Sequence, residues 1–303
     1  MTYSSSDRIA RITLNRPKRA NSITFEMPQE LAACVERANL DPSVHVIALS
    51  GNGKGFCGGY DLGHAEDDPS QVDYAAGDDP PLPPGSALDP KVVLKNHDPR
   101  RTWDPMLDYA MMSRNLRGFM SLFHSDKPVV VKIHGFCVGG GSDMALCADL
   151  LVVADDAKIG YPPARVWGCP TSAMWIYRIG VERTKRLLFT GDCLSGKEAA
   201  EWGLAVESTP PSQLDARFEA LLARIARLPI NQLMMMKLMT NQTLSAQGLA
   251  SGQMLGTVFD GITRHTAEGY AFSQRASEVG FRQAVRERDE PFGDAGPSTY
   301  KGG

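Results

Sequence analysis

Two glycine-rich turns carry the residues with the clearest chemical potential in this sequence. The first, residues 51–59, holds five glycines in nine positions, and the second spans residues 135–141. Each follows a short run rich in β-branched residues and precedes a segment with helical spacing. Backbone N–H groups at the start of a helix lack partners, and glycine lets a ligand approach them closely. Two such donors directed at one point would form an oxyanion hole, which stabilises developing negative charge.

Other uses of these turns fit the sequence less well. Glycines after strands most often form ordinary turns, so the pattern alone favours a structural role. The segment Gly51-Asn52-Gly53-Lys54 lacks the G-x-x-x-x-G-K-[ST] spacing of a phosphate-binding P-loop. Neither turn reads G-x-G-x-x-G, so a dinucleotide site is not expected.

The elements that must position these turns are strands and helices in the first half of the chain. Apolar patterns typical of strands occur at residues 8–14, 44–49, 128–133 and 150–154. Helical spacing occurs at residues 24–38, 106–124 and 142–147. Strand, glycine turn and helix therefore repeat, which predicts an α/β fold with a largely buried sheet.

The rest of the chain divides into an insertion and a helical half. Residues 64–103 are rich in proline and poor in large apolar residues, which predicts a long loop outside the core. The second half predicts helices at 171–179 and 183–189, after the Ser195/Glu198 capping box, at 215–228 and 231–243, and finally from about 256 to 288. We predict a core over residues 1–205, interrupted at about 64–105, and a C-terminal helical region over residues 206–303.

Composition excludes several classes of protein. The chain has 303 residues, 43% of them hydrophobic, and a net charge of -3, without the basic excess of a nucleic-acid binder. No apolar run reaches the roughly 18 residues of a membrane span, and no signal-peptide pattern follows the polar N-terminus. Six cysteines without a C-x-x-C pair are typical of a reducing compartment. We expect a soluble, cytoplasmic protein.

Four ordered motifs resemble those of the crotonase, or enoyl-CoA hydratase/isomerase, superfamily. Residues 55–62 (GFCGGYDL) are similar to its F-[SC]-A-G-x-D-L signature, and residues 127–149 (KPVVVKIHGFCVGGGSDMALCAD) to its second signature. The opening LNRPKRAN at residues 14–21 and the LLFTGDCLSGKEAAEWGLAV stretch at 187–206 also match, the latter with Gly196 in place of an alanine. Residues 281–292 resemble the closing helix, so the resemblance covers about residues 8–292.

The resemblance implies a fold and a substrate. The fold would be a spiral of ββα units with a C-terminal helical region that trimerises, giving a homotrimer or a dimer of trimers. The substrate would be an acyl-CoA thioester, whose oxygen would lie between the N–H groups of Gly58 and Gly140. Coenzyme A is then part of the substrate, and no separate cofactor is expected. Positions aligned with substrate contacts are Lys18, Arg19, Ala20, Phe56, Gly59, Asp61 and Arg282, the last reaching the CoA phosphates from its own or a neighbouring subunit.

The sequence departs from the family pattern at both catalytic glutamates. The first position is Asp143, one methylene shorter, which can act as an acid or base or can simply complement a helix dipole. The second position, 23 residues after Gly140, is Pro163 and carries no carboxylate. Tyr161 beside it either shapes the pocket or packs. Auxiliary groups could come from the insertion, where His64, Asp67 and Asp68 follow the first signature, although such a charged run also fits a solvated loop.

The resemblance leaves several functions open. An enoyl-CoA hydratase, which adds water to a trans-2-enoyl-CoA, is our main prediction. An isomerase is the next reading, because a double-bond shift can use one carboxylate, followed by a thioester hydrolase and a non-catalytic CoA-thioester-binding protein. The Met234–Met236 run predicts core or acyl-chain lining rather than metal ligands, and no metal-ligand cluster is evident in the sequence.

Overall fold

Two β-sheets organise the protein, which we analysed as a computed structural model describing residues 1–61 and 84–293. The strands are β1 (Thr2–Ser6), β2 (Ile9–Leu14), β3 (Val46–Gly51), β4 (Val129–Ile133), β5 (Phe136–Val138), β6 (Leu150–Ala154), β7 (Lys158–Gly160), β8 (Cys193–Leu194) and β9 (Glu207–Thr209). The larger sheet has the order β1-β2-β3-β4-β6-β9, and the smaller has the order β5-β7-β8. All neighbours in the larger sheet are parallel except β1 and β2, which are antiparallel.

Helices cover the larger sheet and make up most of the C-terminal third. They are α1 (Met27–Leu40), α2 (Pro90–Asn96), α3 (Pro105–His124), α4 (Gly140–Leu146), α5 (Trp175–Thr190), α6 (Gly196–Glu201), α7 (Leu214–Ala226), α8 (Ile230–Ser245), α9 (Leu249–Arg264), α10 (Ala267–Val279) and α11 (Phe281–Asp289). The helices α1 and α3 pack closely, since a Cβ at Gly118 would lie 2.4 Å from Pro28 Cβ. Within the described ranges, no helix is both long and apolar enough to cross a membrane.

The central strands are buried, which confirms the predicted α/β class. The apolar side chains of β3 and β4 are almost completely hidden from solvent. Parallel strands covered by helices on both faces need continuous apolar runs of this kind. The predicted capping box also forms, because Glu198 N donates to Ser195 Oγ and Ser195 N donates to Glu198 Oε2.

Several elements differ from those predicted. Strand β1 was not predicted, because it is an edge strand of mostly exposed polar residues and has no apolar pattern. The predicted insertion loop contains α2, where Leu88 and Val93 pack in a small cluster with Met111 and Met112. The predicted last stretch is three helices, α9 to α11. The helices predicted at 171–179 and 183–189 correspond to the two parts of α5, which a kink separates at Gly180, where φ is +76°.

The helical region is not separate from the core at residue 205. Strand β9 begins after that boundary and pairs with β6, and α7 packs against the larger sheet. Further along, the buried ammonium of Lys237 on α8 donates to the carbonyl oxygens of Leu122 (2.8 Å) and Lys127 (3.1 Å) and to Asp149 Oδ2 (2.8 Å). The sheet and the C-terminal helices therefore share one interior.

The Met234–Met236 run differs from expectation. Met235 and Met236 are 54% and 46% exposed, and other large apolar side chains of α8 and α9 are exposed with them. The most exposed of these side chains are Leu238 (70%) and Met239 (57%). These helices thus carry apolar surface outside the core of the subunit.

Candidate functional site

The two glycine turns meet, as the sequence analysis predicts. Cys57 forms a parallel bridge with Cys137, and Val138 N donates to Cys57 O at 3.1 Å. A Cβ on Gly59 would lie 3.7 Å from Gly140 N, and one on Gly139 would lie 4.0 Å from Gly59 Cα. Both Gly59 (φ +101°) and Gly139 (φ +56°) have backbone conformations that favour glycine. The two turns therefore place backbone donors side by side.

The donors of the two turns differ in what they already bind. Gly140 N begins α4, and no acceptor for it is found among the residues that the structure describes. Gly58, by contrast, is exposed, and its N–H donates to Ala20 O at 2.9 Å. A thioester oxygen would have to compete with that carbonyl for the Gly58 donor. Gly140 is therefore the better-prepared half of the predicted oxyanion hole.

Asp143 lies one helical turn beyond Gly140 and is completely buried. Its Oδ1 accepts from Ser172 Oγ (2.6 Å) and Ser172 N (3.4 Å), and its Oδ2 accepts from Thr171 N (3.1 Å) and Thr171 Oγ1 (3.4 Å). Burial raises the pKa of Asp143 to about 7, against the opposite effect of these hydrogen bonds. A carboxyl group with this pKa can exchange a proton near neutral pH.

Position 163 lies at the wall of this site. The Pro163 Cγ would lie 3.3 Å from a Cβ on Gly139, so the ring sits against the second glycine turn. The residue that aligns with the second family glutamate is therefore close to the backbone donors but has no ionisable group. Tyr161 is 2% exposed, and burial raises the pKa of its phenol well above the usual value.

Two further polar residues at the site were missed by the sequence analysis. The ring of Tyr60 packs on Gly140, where a Cβ would meet Tyr60 Cε2 at 2.6 Å. The Tyr60 hydroxyl is buried and makes no hydrogen bond within the described residues. Burial raises its pKa well above the usual value, and the charges of Asp143 and Asp260 add to the shift. Tyr60 occupies the variable position of the first signature, and Asp260 lies on α9, so neither has a sequence signal of its own.

The loop of residues 16–22 borders the first turn and is held by Asp61. Arg16 lies 2.9 Å and Arg19 3.9 Å from the Asp61 carboxylate, and Ser22 Oγ donates to it at 3.1 Å. Burial would raise the pKa of Asp61, but the hydrogen bond and charge of Arg16 lower it below the usual value. Asp61, predicted to contact substrate, thus has a positioning role toward this loop.

The remaining predicted contacts fall into three groups. Phe56 is fully buried in the core, where its side chain supports the turn. Lys18 and Ala20 are exposed in the loop beside Gly58, with Ala20 at a φ of +54°. Arg282 is exposed on α11, which packs against α10. The auxiliary candidates His64, Asp67 and Asp68 lie outside the described residues.

A cluster of side chains that was not predicted from the sequence lies at the N-terminal end of α3. His97, Asp108 and His265 offer ligand atoms that all lie within 4.8 Å of one another. His265 is 157 positions from Asp108 in the chain, so no spacing rule could group it with the other two residues. The sequence pattern thus contains no metal-ligand cluster, whereas the folded chain brings three candidate ligands together.

Comparison with known proteins places this site in context. A family model described as enoyl-CoA hydratase/isomerase matches residues 4–78 and 104–273, leaving a gap within the predicted insertion. An enoyl-CoA hydratase from Mycobacterium smegmatis, known from a crystal structure, is 56% identical, with a TM-score of 0.90 over 99% of this chain and 96% of that one. A Mycobacterium tuberculosis protein, EchA13, carries the name enoyl-CoA hydratase and is 31% identical over 80% of this chain and 73% of its own length. The 1,2-epoxyphenylacetyl-CoA isomerase of Escherichia coli is 27% identical over 72% of each chain.

Proposed function

Because the chain belongs to the enoyl-CoA hydratase/isomerase family, we propose that it is an acyl-CoA enzyme that adds water to a trans-2-enoyl-CoA. The observation that carries this proposal is the meeting of the two glycine turns beside a buried carboxyl group with a pKa of about 7. Backbone donors can stabilise the enolate oxygen, and the carboxyl group can exchange the proton. The 56% sequence identity with the enoyl-CoA hydratase of known crystal structure supports the same reaction.

The proposed chemistry assigns one role to each group. The thioester oxygen accepts a hydrogen bond from Gly140 N. It accepts a second one from Gly58 N once that donor has given up its bond to Ala20 O. Ionised Asp143 takes a proton from water, whose oxygen bonds to C3 while the C2=C3 electron pair moves into the enolate. Protonated Asp143 then transfers that proton to C2, where the enolate electron pair forms the new C–H bond, so water is the only reactant added. Each backbone donor is worth about 2.7–4 kcal/mol when negative charge develops on the oxygen it binds.

An isomerase is the second candidate, and the observation that favours it is Pro163. Moving a double bond needs one group that removes a proton from one carbon and returns it to another, and Asp143 is the single family carboxylate retained. Thioester hydrolysis and binding without turnover are further alternatives. Incubation with a panel of enoyl-CoA thioesters, followed by mass spectrometry, separates them: hydration adds the mass of water, hydrolysis releases free CoA, isomerisation keeps the mass but changes the chromatogram, and a binding protein leaves the panel unchanged.

Crotonyl-CoA should be hydrated slowly by the wild-type protein, because Pro163 cannot orient water or exchange a proton. Pro163→Glu should raise the rate, since it places a carboxylate against the second glycine turn. Pro163→Gln is the matched control, with the same length and no ionisable group. The rates are measured from the loss of enoyl absorbance. A wild-type rate equal to that of a two-glutamate hydratase, or equal rates for Pro163→Glu and Pro163→Gln, would contradict this assignment.

We also propose that the subunits form a homotrimer or a dimer of trimers, supported by the apolar surface of α8 and α9. Light scattering should then give about three or six times the subunit mass of 32.9 kDa. Leu238→Glu should lower that mass if α8 lies in an interface. Phe189→Glu is a matched control, since Phe189 is 81% exposed on α5, outside the apolar surface of α8 and α9. A monomer at micromolar concentration would refute the proposal.

The CoA moiety would lie along the exposed 16–22 loop. We propose that Lys18 and Arg19 face its nucleotide and pantetheine parts and that Arg282 reaches its phosphates from the same or a neighbouring subunit. Reversed charge at Lys18 should then raise KM for acyl-CoA more than it lowers kcat, since it alters binding away from the reacting atoms. The proposed location is the cytoplasm, which agrees with six cysteines that are all free thiols.

A further inference from the structure

A cluster of metal-ligand side chains joins three separate elements of the chain. His97 ends α2 in the described part of the insertion, Asp108 lies in the first turn of α3, and His265 follows α9. Asp108 and His265 are almost completely buried, with 1% and 3% of their side chains exposed, and His97 is 27% exposed. Two imidazoles and one carboxylate are the ligand set that divalent transition metals prefer.

Two of the ligand atoms in this cluster are buried without a hydrogen-bond partner. His97 Nε2 and Asp108 Oδ1 face each other at 3.4 Å, and neither makes a hydrogen bond within the described residues. Buried polar atoms normally make hydrogen bonds, whereas these two make a longer ion-pair contact, at a separation close to that of two ligand atoms on one metal ion. The three ligand atoms lie within 4.8 Å of one another, and tetrahedral zinc with bonds of about 2.0–2.2 Å separates its ligands by roughly 3.3 Å. Side-chain shifts of at most about 1.5 Å would bring the three atoms to that geometry.

Surrounding residues already orient the ligands. Asp108 Oδ2 accepts from Trp103 Nε1 at 2.7 Å and from Asn96 Nδ2 at 3.2 Å, and it also lies 2.9 Å from His265 Nε2. An ion bound by His265 Nε2 would replace that last hydrogen bond, and Asp108 would face the ion with Oδ1. The His265 Nδ1 lies 2.8 Å from the Tyr270 hydroxyl, whose oxygen can accept a hydrogen bond from the Nδ1–H when Nε2 binds a metal. Outer partners of this kind hold metal-ligating carboxylates and imidazoles in place.

The local charge allows a divalent cation. Arg264 lies 3.7 Å from Asp108 Oδ1 and 3.2 Å from Asp260 Oδ2, so its guanidinium is shared between two carboxyl groups. The carboxylate of Asp108 is the anionic ligand of the cluster.

We propose that His97, Asp108 and His265 bind one divalent transition-metal ion of the zinc class, with the fourth position open to water on the exposed side of His97. The ion would fasten the described part of the insertion to α3 and to the junction of α9 and α10. This site is separate from the acyl-CoA site, and the proposal does not depend on the proposed reaction.

Zinc titration of the full-length protein against a chromogenic chelator tests the proposal. The wild type should bind one equivalent of Zn²⁺ per chain and unfold at a higher temperature when it is present. His97→Gln, which changes a partly exposed side chain, should weaken binding by at least about 100-fold, because even outer partners contribute about 10- to 100-fold. Tyr270→Phe removes one such partner and should weaken binding by about tenfold.

His124→Gln is the matched control, since His124 is exposed at the far end of α3 and outside the cluster. It should bind Zn²⁺ as the wild type does. With Co²⁺ the wild type should show the absorption bands of tetrahedral cobalt, and Asp108→Asn should abolish both these bands and zinc binding. Equal zinc affinity for wild type and His97→Gln, or an equal loss in His124→Gln, would overturn the assignment, as would a wild type that binds no Zn²⁺ at micromolar concentration.

Discussion

Asp143→Asn should lower the rate of enoyl-CoA turnover by about 100- to 10,000-fold, the contribution typical of a positioned general acid or base. Asparagine keeps the size of the side chain but cannot hold the proton that the reaction moves. Its amide nitrogen would also face one of the donors from Thr171 or Ser172, which costs about 1–3 kcal/mol of stability. The measurement is kcat/KM with the best substrate of the enoyl-CoA panel, at matched fractions of folded protein.

The pH profile distinguishes a catalytic Asp143 from a structural one. The pKa of about 7 means that the group is protonated below neutral pH and ionised above it. Because the proposed step needs the carboxylate, kcat/KM should rise with pH through about 7 and then level off. Asp143→Glu keeps the ionisable group and should retain a rising limb, whereas Asp143→Asn should lack it. A folded Asp143→Asn protein with the wild-type rate would show that this carboxyl group only anchors the Thr171–Ser172 turn.

Gly140→Pro should lower kcat by about 100- to 1,000-fold relative to Gly140→Ala, because proline removes the N–H donor of the second turn. Proline suits the first position of a helix, and Gly140 is the first residue of α4 and has no positive φ. Either new side chain would press on Tyr60, since a Cβ there lies 2.6 Å from its ring. Gly140→Ala carries that steric cost while it keeps the donor.

The ratio between the two Gly140 variants therefore isolates the hydrogen bond. Circular dichroism and light scattering confirm that both variants fold and assemble alike. Equal turnover by Gly140→Pro and Gly140→Ala would mean that the enolate oxygen is stabilised elsewhere, and the backbone donors of the first turn would be examined next.

The fold was predictable where one residue pattern has one structural solution. The runs at β3 and β4 are apolar throughout because both faces of a parallel sheet are covered. The polar strand β1 was not predictable, since an exposed edge strand needs no apolar residues. The helix α2 was hidden by the prolines around it, although one of them starts the helix and Asp89 caps it.

The site was predictable only in part, for a related reason. The glycine turns are local, so their sequence and the family resemblance locate them. The environment of Asp143 is not local, because Thr171 and Ser172 reach it from 28 and 29 positions away. The bond from Gly58 to Ala20 and the grouping of His97 with His265 likewise arise from tertiary contacts. Patterns along the chain carry no direct record of such contacts.

The buried Lys237 has a consequence for the order in which the chain folds. Its three acceptors lie 88 to 115 positions earlier, so the ammonium closes very long loops. Such contacts form late, because the entropy of closing a long loop comes before the interaction can compensate for it. During synthesis, Asp149 and the carbonyl groups of Leu122 and Lys127 cannot accept hydrogen bonds from Lys237 until α8 has left the ribosome. The contacts that hold α8 against the end of α3 and the residues before β4 and β6 can therefore form only after most of the chain has been synthesised.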